Sequence, residues 1–167
     1  MRSNTGGALK YSILAVVLVL TIWPAKVTPQ GLPVEPDGNK IEGVWDSHLT
    51  YKDCTTGAVL LTGQSLVAYA QGGVVTDISS GAAPSRRYPG LGVWRHLQGR
   101  DYQSTFKQFR YNSDGTFAGK IIAVVEIRHE MDDTLTTSAV GTIYDAAGNV
   151  VSTVCPTGVA TRFTGEN

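Results

Sequence analysis

The chain has 167 residues, 14 basic and 14 acidic, so its formal net charge is zero and no basic face stands out to meet a nucleic acid. Its 19 glycines suit a fold with many tight turns. Its two cysteines, Cys54 and Cys155, lie too far apart for a CxxC redox motif.

Arg2 and Lys10 place positive charge ahead of an apolar run, YSILAVVLVLTIW, from Tyr11 to Trp23. That run is shorter than the ~20 residues a membrane span requires, and Pro24-Ala25-Lys26 breaks it. Residues 1–25 therefore read as a secretory signal peptide. An uncleaved N-terminal anchor is the alternative, because no Ala-x-Ala precedes a cleavage point at Ala25. No Cys follows the run, so a lipoprotein anchor is not indicated. Residues 26–40, with Pro29, Gly31, Pro33, Pro36 and Gly38, read as a flexible linker. The expected location is secreted or periplasmic, with membrane contact only through an uncleaved N-terminal segment. In such a compartment the default for Cys54 and Cys155 is one disulfide, and the alternative is two free buried thiols.

Residues 41–167 are long enough for one domain with its own core. Turn signals such as Asp53-Cys54-Thr55-Thr56-Gly57, Gly72-Gly73, Asn112-Ser113-Asp114-Gly115 and Asp145-Ala146-Ala147-Gly148-Asn149 cut it into pieces rich in Val, Ile, Thr and Tyr. Eight strands are predicted, at 43–52, 60–70, 74–78, 92–97, 101–111, 116–130, 134–144 and 150–163. Short connections between them predict an all-β, up-and-down antiparallel barrel, in which closure removes both sheet edges. A β-sandwich is the alternative. If Cys54 faces Cys155 across the closing strands, Trp45 faces Thr164 and lies diagonal to Arg162. Alternation then puts the disulfide on one face and the Trp–Arg pair on the other. Pro156 marks a place where a bulge would disturb this register.

Gly43-Val44-Trp45 recurs as Gly92-Val93-Trp94, and Arg162 lies in the last predicted strand. A Gly-x-Trp opening the first strand with an Arg late in the last resembles the calycin superfamily, the lipocalins and similar ligand-binding barrels, here as an exported member. No helix precedes the last strand and no Thr-Asp-Tyr triplet is present, which directs the resemblance to the broader superfamily. It implies structural roles for Gly43, Trp45, Trp94 and Arg162, with the guanidinium covering the Trp45 indole at the closed end. It also implies that the barrel binds a small hydrophobic ligand.

With the floor at Trp45, the turns near 53–59, 79–91, 112–115 and 145–149 fall at the open mouth. The longest of them, 79–91, carries Arg86, Arg87 and Tyr88, either as a lid meeting an anionic or aromatic group or as solvated loop residues. Alternation directs Ser47, Leu49 and Tyr51 inward, and on the sixth strand Phe117, Ile121, Ala123, Val125, Ile127 and His129. On the fifth strand Tyr102 and Phe106 compete with Phe109 and Tyr111 for the inner face, and the first pair is preferred because Lys107 then points outward with Phe109. Val140 and Tyr144 compete with Leu135, Ala139 and Ile143 for the inner face of the seventh. The candidate ligand-binding residues are Tyr51, Arg86, Tyr88, Phe106, Phe117 and His129.

His96 and His129 come down near the floor. Haem binds through a His in nitrobindin-like calycins, but without carboxylate or thiolate partners these two are read as hydrogen-bonded structural histidines, and no metal or cofactor is assigned. No Gly-x-Ser-x-Gly elbow and no phosphate-binding Gly-rich loop is present, so no catalytic residue is assigned. The expected role is non-covalent binding of a small hydrophobic or amphipathic molecule. The alternatives are a barrel cyclase or isomerase of the allene oxide cyclase or dirigent type, and a structural or partner-binding envelope protein with a filled barrel.

Overall fold

The structure is a computed structural model that describes residues 40–81 and 83–165. The signal peptide or anchor expected at 1–25 and the linker at 26–40 lie outside the described residues, apart from Lys40. Among the described residues no helix is long and apolar enough to cross a membrane.

The strands are β1 Gly43–Lys52, β2 Val59–Ala70, β3 Val74–Ser79, β4 Gly90–Gln98, β5 Asp101–Tyr111, β6 Phe117–His129, β7 Thr134–Tyr144, β8 Val150–Val154 and β9 Thr157–Arg162. Each of β1 to β7 pairs antiparallel with the next. β9 pairs with both β7 and β1, which closes the sheet. β8 and β9 are one strand with a gap at Cys155-Pro156. Gly141 opposes Val154 and Ser138 opposes Thr157, so the register on β7 runs unshifted across the gap. Proline lacks an N–H and interrupts the ladder there, while its carbonyl still accepts from Ala139 N at 2.9 Å. The result is the eight-stranded, closed, up-and-down barrel expected, without the bulge anticipated at Pro156.

The closing register differs by two residues from the expected one. Trp45 directly opposes Arg162, not Thr164. Cys155 N donates to Lys52 O, so Cys155 opposes Lys52 and reaches Cys54 diagonally. Cys54 already lies in the turn after β1, where Asp53 N donates to Ala58 O and Gly57 N to Asp53 O. That curl brings Cys54 back to a Cα–Cα separation of 5.1 Å in the disulfide with Cys155.

The core sits at the floor end. Ile41, Trp45, Tyr69, Val75, Tyr102, Ile127, Leu135 and Ala160 are buried together, with Val67, Trp94, Phe106 and Val125 packed against them. Trp45 Nε1 donates to Ile41 O at 2.8 Å, which ties the chain before β1 beneath the barrel. The Arg162 guanidinium lies 4.2 Å from the Trp45 ring centroid. Its Nη1 donates to Glu42 O at 2.9 Å, and Nε and Nη2 form a fork on Asp133 at 2.9 and 3.0 Å.

The glycine of the motif has a steric reason. Gly43 has φ 130°, and a Cβ there would stand 2.8 Å from Arg162 Nη1. The second copy uses its glycine differently. A Cβ on Gly92 would lie 2.0 Å from Thr105 O, so β4 can approach β5 only without one. Among the described residues no guanidinium covers Trp94; its Nε1 donates to Ala70 O at 2.9 Å, and its ring packs on Tyr69 and Tyr102.

Candidate functional site

Above the packed floor the inward side chains become small or polar. Ser47, Ser65, Asp77, Ser104 and Gln108 are all buried. Phe106 fills the space over Gly90, where a Cβ would meet its ring at 2.7 Å. Phe106 thus ends the apolar floor, and Gln108, two residues further along β5, begins the open part.

That open part is a chamber of about 370 Å³ at the mouth, a volume near the lower end of small-molecule sites (~300–1,000 Å³). Its lining divides by strand order. Leu61 of β2, Val154 of β8, Ile143 of β7 and Ile121 of β6 supply an apolar arc, with Tyr51 of β1 among them. Gln108 and Arg110 of β5, with Arg86 and Arg87 of the β3–β4 loop, supply a cationic arc. The loop is pinned against β5 by a backbone bridge between Arg87 and Arg110, and by Tyr88 N donating to Phe109 O at 3.2 Å. Arg87 and Gln108 also line a second recess of about 760 Å³ under the same loop.

Asp77 lies beneath this arc, opposite Gly90 and Val67. Burial pushes its carboxyl up to about 6, with the Ser65 hydroxyl and the Arg87 guanidinium pulling the other way. Burial raises the neighbouring Tyr69 phenol too, against the Ser104 hydroxyl. The acids of the mouth turns are engaged by their own loops. Asp53 accepts from Thr55 and Thr56, Asp114 from Thr116, and Asp145 from Asn149. These bonds hold all three carboxyls below the usual carboxylate range.

Of the six candidate ligand-binding residues, Tyr51 and Arg86 line the chamber. Phe106 points inward as expected but packs into the top of the core. Tyr88 is 60% exposed, with its ring 5.3 Å from Tyr111, and lines an outer groove with Leu91, Val93 and Phe109. Phe117 does not share the inner face of β6. The pairing slips by one residue between Arg110 and Tyr111, so Phe117 is 45% exposed and packs on Phe109 and Tyr111. His129 is fully buried at the floor, edge-on to Trp45, and its Nε2 lies 2.9 Å from Asp133 Oδ1.

Gln108, Arg110 and Asp77 were not singled out from sequence. Their signal was available: alternation from Tyr102 and Phe106 reaches Gln108 and Arg110, and alternation from Val75 reaches Asp77. An arginine on an inward-facing position is itself the clue. The inner face of β7 is settled in favour of Leu135, Ala139 and Ile143, which oppose His129, Val125 and Ile121. His48 is exposed, and His96 Nε2 contacts Gly99 O at 2.8 Å. Among the described residues no group of three or more His, Cys, Asp or Glu is placed to hold a metal ion. The chain matches no family model and no curated protein.

Proposed function

We propose that this is an exported, lipocalin-like barrel that binds a small amphipathic molecule non-covalently in the mouth chamber. The observation that carries the reading is the division of one chamber into an apolar arc and a cationic arc above a sealed floor. Such a lining matches a molecule with one apolar and one polar end. The Gly43, Trp45 and Arg162 arrangement supports the calycin resemblance. The charged-then-apolar start of the chain and the Cys54–Cys155 disulfide support export.

Titration calorimetry with alkyl amphipaths of increasing chain length tests this. Each methylene entering the apolar arc contributes about 0.8 kcal/mol, roughly a fourfold gain in affinity, until the chamber is full. Absence of saturable binding across the series would sink the reading in favour of a barrel that acts through its outer surface. The cyclase reading uses the same chamber and differs in one respect, since a bound ligand would then be recovered chemically changed.

A further inference from the structure

We propose that the polar end accepted by this chamber is an oxyanion, a carboxylate or phosphate monoester on an apolar tail, gripped by Arg87 and Arg110 with Arg86 at the rim. The proposal rests on the reading of the chamber as a binding site and adds the charge and chemistry of the group it takes.

Three observations converge. Arg87 Nη2 is buried with no hydrogen-bond partner among the described residues. A buried donor left without an acceptor is costly, and more so on a charged group. Next, the backbone bridge between Arg87 and Arg110 sets two guanidiniums into one small chamber, where like charges oppose one another unless an anion comes between them. Finally, among the described residues none of Arg86, Arg87 and Arg110 forms an ion pair, and the carboxylates of the mouth turns are held by Thr and Asn side chains and backbone of their own loops. The Asp77 carboxyl feels the Arg87 guanidinium but is not among the residues that line the chamber.

The donor set also fits the shape of an oxyanion. Guanidinium forks match carboxylate and phosphate oxygens bidentately. Gln108 offers an amide and Tyr51 a hydroxyl. Tyr51 and Arg87 converge at Gly81, where a Cβ would lie 3.6 Å from the Tyr51 hydroxyl and 3.7 Å from Arg87 Nη1.

The test is calorimetric titration of the full chain with decanoate, decyl phosphate and 1-decanol, which share a tail and differ in headgroup. The expected result is that at least one anion binds tenfold or more tightly than the alcohol. Arg87→Gln and Arg110→Gln should each bring the ratio of anion to alcohol affinity, measured on the same variant, down toward one. Arg87→Lys should retain only part of the gain. Arg95→Gln, on the outer wall where Arg95 donates to Gln103, should bind like wild type. Near-UV circular dichroism checks that each variant folds. Whichever anion is tighter assigns the oxyanion as carboxylate or phosphate. Equal affinity for alcohol and anions overturns the proposal while the chamber reading stands. Binding by none of the three overturns both.

Discussion

Replacing Arg162 with Met removes the group that joins the last strand to the first at the floor. The side chain is 26% exposed and its partner Asp133 is 45% exposed, so their forked ion pair is worth less than a buried one, about 1 kcal/mol. The guanidinium over the fully buried Trp45 ring contributes ~1–2 kcal/mol. Its bond to Glu42 O contributes about 1 kcal/mol more. Together these predict a loss of about 3–4 kcal/mol. In urea, with a slope of ~2 kcal/mol/M, the midpoint should fall by roughly 1.5–2 M at unchanged slope. Arg162→Lys should recover less than half, because a point charge cannot form the fork and cover the ring together. A loss below about 1 kcal/mol would show that closure does not depend on this contact.

Gly43→Ala should act on the same latch from the other side. Its φ of 130° and the 2.8 Å approach of Arg162 Nη1 to the added Cβ predict a loss of about 1–3 kcal/mol by the same urea assay. The Cys54–Cys155 bridge spans 101 residues, so reduction, or replacement of both cysteines by Ser, should cost up to about 4–5 kcal/mol with the barrel still assembling, measured as a fall in Tm. Asp77 binds its proton more tightly folded than unfolded, because its native pKa of about 6 lies above 3.8. Its contribution is therefore full below about pH 4 and is lost as pH rises through about 6, a difference of about 3 kcal/mol. Asp77→Asn should remove that dependence, so that the stability gap between variant and wild type shifts by that amount in the variant's favour between pH 4 and 7. A gap independent of pH would contradict the burial of Asp77.

Much of the barrel was readable because strands with one wet and one dry face alternate with period two. Glu126 and Arg128 against Ile127 and His129 set the phase of β6 without ambiguity, whereas β5 carries aromatics on both faces and only Lys107 favoured Tyr102 and Phe106 as the inner pair. What failed was whatever broke that period. One slipped pairing between Arg110 and Tyr111 turned Phe117 outward. The disulfide was assumed to join directly opposed residues, whereas Cys54 stands in a turn and reaches across a diagonal, which displaced the closing register by two. The candidate site was read through its apolar and aromatic residues, and those proved to be largely floor or outer wall. Its charged half was legible only in part: Arg86 and Arg87 stood out as mouth-loop residues able to meet an anionic group, but no strand pattern encodes how that loop docks onto β5. Gln108 and Arg110 occupy the inner face where polar side chains are least expected.

The most direct measurement is native mass spectrometry of the protein purified from its own host, before and after denaturation. The expected result is a bound mass that is released on unfolding and proves to be a single-tailed molecule with one anionic end. A clean ligand-free mass, under conditions that preserve weak complexes and after exposure to decanoate and decyl phosphate, would contradict the assignment of the chamber as a binding site.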